Sequence, residues 1–215
     1  MSDDNDRLHR PATPSGDAIV LTHGAGSDAD APLLVALAEQ FAAVGMVAIR
    51  YELPFRRMRR TGPPTPATAE GDRAGLRDMM LATRPRAPRR LFLGGHSYGG
   101  RQASMLAAEM PELVDALLLL AYPLRPPRRP REQRTMHFPN LRTPALFVHG
   151  SRDPFGSLEE LTAALALVPA PVTLLPVDGA PHGLIARPPR GRRADVVAEI
   201  VQGFCAFVDH AALRR

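Results

Sequence analysis

Three runs far apart in the chain carry side chains whose types and order suit one chemistry: Gly95-His96-Ser97-Tyr98-Gly99, Gly150-Ser151-Arg152-Asp153-Pro154-Phe155-Gly156, and Pro181-His182-Gly183. A serine hydroxyl is a poor nucleophile at neutral pH until an imidazole takes its proton. The imidazole in turn needs a carboxylate to fix its tautomer and to stabilise its charged form. Ser97, Asp153 and His182 supply these groups in the chain order nucleophile, acid, base. The chemistry they would perform is acyl transfer: attack on a carbonyl carbon, a covalent acyl intermediate, and release of the acid by water.

Each run follows an apolar segment of strand type, which would bring all three to the carboxyl edge of a parallel sheet. Ser97 stands between Gly95 and Gly99, after Leu91-Phe92-Leu93 and before a helical pattern. That is the context of a nucleophile elbow, a strained turn whose flanking positions must lack side chains so that strand and helix can approach. A Gly-x-Ser-x-Gly match alone is a frequent accident; the strand, the helix and both partners in order give it weight. The plain alternatives are a surface-loop histidine at 182 and a turn-capping aspartate at 153. Asp178 is a rival acid, but it shares the loop of His182 and reads as a turn former. A developing oxyanion needs two N–H donors. The sequence offers Tyr98, next to the nucleophile, and Ala25 in the run His23-Gly24-Ala25-Gly26 after the first strand.

The elements that must position these groups alternate. Strands are predicted at Ala18–Leu21, Met46–Tyr51, Arg90–Leu93, Ala116–Ala121, Ala145–Val148 and Val172–Pro176, most of them continuous apolar runs as expected for strands covered on both faces. Between them, Leu33, Leu37, Phe41 and Val44 recur at helical spacing and Gly45 closes the pattern. Further helices are predicted over Ala67–Thr83, from directly after Ser97 through Arg101, Met105 and Leu106 to near Pro111, after the capping box Ser157-Leu158-Glu159-Glu160, and over Val197–Val208. The order is that of an α/β protein, a sheet of about six strands between two helical layers.

Two Pro- and Arg-rich segments, Pro54–Pro66 and Pro123–Arg142, lack periodicity and read as loops on the side of the site. Their arginines, Arg56, Arg57, Arg59, Arg60, Arg125, Arg128 and Arg129, would form an electropositive funnel for carboxylate-bearing esters, with Arg56 and Arg125 as substrate contacts. Solvated arginines from composition bias are the plain alternative. Arg101 is expected to pair with a buried carboxylate such as Glu52.

The 215 residues suit a single domain from 18 to 215 behind a flexible tail over 1–17. No apolar run approaches a membrane span and no secretory signal is visible at the start. The lone Cys205 reads as a small buried hydrophobe, which suits a cytoplasmic setting. Net charge is +5, yet all 27 basic residues are Arg, a pattern of coding bias that argues against reading basicity as nucleic-acid binding. His23, His96, His149 and His182 fall at strand ends without metal-ligand spacing, so neither a metal nor a cofactor is implied.

From Ala18 onward the residues resemble the α/β-hydrolase superfamily. Within it, His23-Gly24-Ala25-Gly26, the Gly94-Gly95-His96-Ser97 elbow, Tyr122-Pro123-Leu124 and the Pro144–Asp153 stretch look like a compact family. That family includes small bacterial hydrolases, testis-expressed protein 30 and subunit 3 of a histone-acetyltransferase (NSL) complex, with dienelactone-hydrolase-like proteins as more distant kin. The resemblance implies the α/β-hydrolase fold with a minimal lid, the usual first hairpin absent, and carboxylesterase-like cleavage of a small-molecule ester or thioester. A dienelactone-type lactonase and a peptidase are the neighbouring chemistries. Because some relatives serve as complex subunits, a non-catalytic interaction module is the reading from another class.

Overall fold

The computed structural model describes residues 7–126, 132–185 and 192–212. Arg128 and Arg129 of the expected funnel lie outside the described residues.

Seven strands form one sheet: β1 Leu8–His9, β2 Ala18–Thr22, β3 Val47–Tyr51, β4 Leu91–His96, β5 Ala116–Leu120, β6 Ala145–Gly150 and β7 Val172–Val177. Their order is β1-β3-β2-β4-β5-β6-β7, with β1 antiparallel to β3 and every other pair parallel. Side-chain alternation divides the core into two. Ala18, Val20, Leu91, Leu93, Leu117, Leu119, Ala145 and Phe147 face one side; Ile19, Leu21, Phe92, Leu118, Leu120, Leu146 and Val148 face the other. Helices α1 (Pro32–Ala43) and α6 (Arg192–Ala212) cover the second face. Helices α3 (Pro66–Thr83), α4 (Tyr98–Glu109) and α5 (Leu158–Leu165) cover the first.

Local chemistry explains the boundaries. Pro32 opens α1, and Gly45, at φ +94°, follows its end in the left-handed region. The expected capping box starts α5, with Glu160 N–H donating to Ser157 Oγ and Ser157 N–H to Glu160 Oε2. Helix α4 stops before Pro111.

Two expectations are corrected. Residues 7–17 are not a loose tail: Leu8 and His9 pair with Ile49 and Ala48, and Arg7 reaches Glu52 at 2.9 Å. The sheet therefore gains a seventh strand, one too short to show any alternation in the sequence. The loop Pro54–Pro66 begins with a five-residue helix, α2 (Pro54–Met58). Between β5 and β6 the described residues hold a single 3₁₀ turn, Phe138–Asn140, and no helical cap. No helix among the described residues is long and apolar enough to cross a membrane.

The order in which strands are laid down reverses between the parallel neighbours β2 and β4: β3 lies outside β2 on one side, and β5 to β7 extend the other way. Loops leaving the carboxyl ends of strands at such a switch diverge and leave a crevice. The segments after β2 and β4 both open there.

Candidate active site

Ser97 is the residue between β4 and α4, held at φ +51° and ψ −113°. It is a strained conformation, and the neighbouring glycines make it attainable. A Cβ on Gly95 would stand 2.4 Å from Gly100 N, and one on Gly99 would stand 2.6 Å from His23 O. Gly100 is similarly constrained, since a Cβ there would stand 2.6 Å from Gly95 O, so the elbow extends one glycine beyond the predicted motif. Ser97 N–H donates to Leu120 O at 2.8 Å, tying the turn to β5. Among the described residues, the non-glycine positions with positive φ are Ser97, Ala121 and Leu184, and all three lie at this edge of the sheet.

The structure brings Ser97, His182 and Asp153 together. His182 Nε2 lies 2.8 Å from Ser97 Oγ, and His182 Nδ1 lies 2.8 Å from Asp153 Oδ2. An ionised carboxylate only accepts, so Nδ1 carries the proton and Nε2 offers its lone pair to the serine hydroxyl. The Asp153 side chain is fully buried, its second oxygen accepting from Phe155 N–H at 2.9 Å. The Phe155 ring packs on His182 with centroids 4.2 Å apart. A Cβ on Gly150 would meet Ala180 O at 2.3 Å, so the close approach of the two loops carrying Asp153 and His182 requires glycine there. Asp178 lies in the turn after β7 and is not part of the relay; its Oδ1 accepts from Ser151 Oγ of the loop after β6.

Two histidines that the sequence places only at strand ends hold this assembly from below. His96 Nε2–H donates to His182 O at 2.9 Å; burial pushes its pKa down to about 4, which keeps it neutral. His23 is fully buried and its pKa is lowered by the same desolvation. Its Nδ1–H donates to Gly24 O and its Nε2 accepts from Leu53 N–H. Ser27 N–H also points at Gly24 O. In a trans peptide the C=O and N–H point in opposite directions; fixing Gly24 O inward therefore turns Ala25 N–H outward. That loop borders Ser97, since a Cβ on Gly24 would lie 3.5 Å from Ser97 Cβ. Tyr98 N–H belongs to the unpaired donors of the first turn of α4.

Asp72 of α3, buried in full, accepts from Tyr98 OH at 2.7 Å and from Phe55 N–H at 2.8 Å. It links α2, α3 and the elbow, a role that no local pattern announced.

The arginines fall elsewhere than expected. Arg56 is buried and spends its donors on backbone: Nη2 to Ala25 O at 2.6 Å, Nε to Ser27 O at 3.0 Å and Nη1 to Arg60 O at 2.8 Å. It clamps the Ala25–Ser27 loop to the segment after α2. Arg125 pairs with Glu160 at 2.5 Å. Arg101 does not meet Glu52, which instead pairs with Arg7 and accepts from Ala29 N–H. Among the described residues no three His, Cys, Asp or Glu side chains gather as metal ligands.

The alpha/beta hydrolase domain family profile matches residues 15–209. Solved structures agree in fold. An alpha-beta serine hydrolase homologue from Coxiella burnetii superposes with a TM-score of 0.73 at 18% identity, covering 91% of this chain and 89% of that one. A dienelactone hydrolase from Anabaena variabilis gives 0.71 at 21% identity, covering 94% and 89%. An α/β serine hydrolase from Xanthomonas campestris, described as lacking a lid, gives 0.66 at 15% identity, covering 96% and 87%.

Proposed function

Since this chain belongs to the alpha/beta hydrolase domain family, we propose that it is a serine hydrolase that cleaves a carboxylic ester or thioester through an acyl-enzyme. The observation that carries this reading is the continuous relay from Asp153 through His182 to Ser97, with both hydrogen bonds at 2.8 Å.

In the proposed mechanism Ser97 Oγ bonds to the carbonyl carbon while its proton passes to His182 Nε2. The imidazolium that forms is stabilised by the Asp153 carboxylate. Ala25 N–H and Tyr98 N–H receive the negative charge on the former carbonyl oxygen, each donor worth about 3 to 4 kcal/mol in comparable sites. The tetrahedral centre collapses, the C–O or C–S bond to the leaving group breaks, and His182 returns the proton to that group. Water then attacks the acyl-serine with His182 as base, and the acid leaves as Ser97 regains its proton. The lack of a helical cap among the described residues connecting β5 to β6, together with the His23–Gly26 and Tyr122–Leu124 runs, supports placing the chain in the compact, lid-poor group.

Steady-state hydrolysis of p-nitrophenyl butyrate and of a butyryl thioester tests this reading. Ser97→Ala and His182→Ala are each expected to lower kcat by about 10⁴-fold or more, as loss of a member of such a relay does elsewhere. Turnover that survives Ser97→Ala within a few fold would overturn it.

A further inference from the structure

Asp72 has no place in the relay, yet it is a carboxylate withdrawn wholly from solvent on α3, the helix that packs against the nucleophile's helix α4. Its two oxygens serve two different elements. Oδ2 accepts from Tyr98 OH at 2.7 Å, and Oδ1 accepts from Phe55 N–H at 2.8 Å. Both donors are neutral. Burial, with the Asp72 charge beside it, pushes the Tyr98 phenol well above its ordinary pKa and keeps it a donor. Among the described residues no cation forms an ion pair with Asp72. A buried carboxylate without a countercharge costs more than an apolar side chain of similar size. What it supplies is direction.

Each oxygen leads to one half of the oxyanion hole. On the elbow side, the Tyr98 ring is held at its far end by Oδ2 and packs edge-on against the Phe55 ring, with centroids 5.5 Å apart and planes at 82°. On the other side, Pro54 has no N–H, so Phe55 carries the first backbone donor of α2, and Asp72 caps it from another element. The next residue, Arg56, donates to Ala25 O at 2.6 Å and to Ser27 O at 3.0 Å. The placement of α2 therefore decides the placement of the loop that carries Ala25 N–H. His23 braces the same joint, accepting from Leu53 N–H at 3.1 Å with its ring centroid 5.6 Å from that of Phe55. The close approach is built into α3: a Cβ on Gly75, one turn after Asp72, would stand 2.6 Å from both Tyr51 OH and Pro54 Cγ.

We propose that Asp72 is the positioning residue of the oxyanion hole, one carboxylate that fixes Tyr98 N–H and Ala25 N–H relative to each other. This rests on the serine hydrolase reading of Ser97. The hole stabilises charge only when both donors already aim at the place the oxyanion will occupy and need not reorganise as it forms. Asp72 touches no reacting atom and acts through the two residues it holds.

Turnover of p-nitrophenyl butyrate, the Ki of trifluoromethyl propyl ketone, which adds to a serine nucleophile as a tetrahedral oxyanion, and thermal unfolding test it in the wild type and three variants. Asp72→Ala is expected to lower kcat by about 30- to 300-fold with KM within about 3-fold, and to raise the Ki of the ketone by a factor similar to the fall in kcat/KM. Asp72→Asn keeps an acceptor for Phe55 N–H and turns an N–H to the Tyr98 oxygen, so it should recover kcat to within about 5-fold of the wild type. Tyr98→Phe keeps the ring, cuts only the elbow arm and should lower kcat by about 3- to 30-fold; it decides the matter if Asp72→Ala does not fold. A folded Asp72→Ala or Tyr98→Phe with kcat within about 2-fold of the wild type, a loss confined to KM, or an Asp72→Asn no better than Asp72→Ala would overturn the proposal.

Were no ester turned over by the wild type, the serine hydrolase reading would fail, and the brace would be judged alone by amide NMR. Broadening or displacement of both the Ala25 and Tyr98 N–H signals in folded Asp72→Ala, or of the Tyr98 signal in Tyr98→Phe, supports it; unchanged signals overturn it.

Discussion

His182 is the residue on which the proposed chemistry turns, and every hydrogen-bonding atom of its ring has a determined role. Nδ1–H is committed to a carboxylate that water does not reach, and Nε2 faces the serine hydroxyl. Asp153→Asn would leave the shape intact but present an amide that favours the wrong tautomer, so kcat should fall by about 10⁴-fold with KM little changed, measured on any competent ester. The support beneath has its own pH signature. His96 has a folded pKa near 4 against an ordinary value of 6.5. Below pH 6.5 the unfolded chain binds a proton that the folded one refuses; stability therefore drops as pH falls from about 6.5 to about 4, by up to about 3 kcal/mol from this group. Urea unfolding at pH 7 and pH 5 should show a larger loss for the wild type than for His96→Gln. Arg56→Met should lower kcat by about 10- to 100-fold on neutral and charged esters alike, because it frees the loop that aims Ala25 N–H and touches no substrate charge.

Ser97, Asp153 and His182 were legible because strand, turn and chain order constrain where such side chains can go. The arginines were not. Whether a guanidinium in a loop faces solvent, a carboxylate or a row of carbonyls is decided by how loops close on one another, as Arg56 closes on Ala25 and Ser27. For His23 and His96 only a place at strand ends was legible, because their partners, Leu53 and the His182 carbonyl, are remote in the chain.

At the scale of elements, the junction of β4 with α4 is the most constrained place in the chain. Gly95→Ala would force a methyl group to within 2.4 Å of Gly100 N, backbone that cannot yield without moving the helix. A loss of more than about 3 kcal/mol is expected, a Tm drop of about 6 to 12 °C for a domain of this size, together with loss of any Ser97-dependent activity. Continuous apolar runs and cap signals gave β2 to β7 and the long helices to within a few residues. Strand β1 and helix α2 escaped detection: two residues cannot alternate, and five residues opening on Pro54 cannot show a helical period.

At the scale of the molecule, the site follows from topology. Reversal of winding between β2 and β4 leaves the crevice into which the loop after β2 and the elbow after β4 project, while β6 and β7 supply the acid and the histidine from one side. The first strand braces the opposite edge. Deleting residues 1–10 removes β1 and the Arg7 contacts to Glu52 and Asp30, and should cost about 1 to 3 kcal/mol, a Tm drop of about 3 to 10 °C, without changing kcat. A dangling tail would leave Tm unchanged.

The most direct test of an activated Ser97 is covalent. The protein is treated with a fluorophosphonate and digested, and the modified peptide is located by mass spectrometry, alongside Ser97→Ala and His182→Ala. A single adduct on Ser97, absent from the first variant and strongly slowed in the second, is the expected result. An unmodified Ser97 in folded wild-type protein, or labelling indifferent to His182, would contradict it.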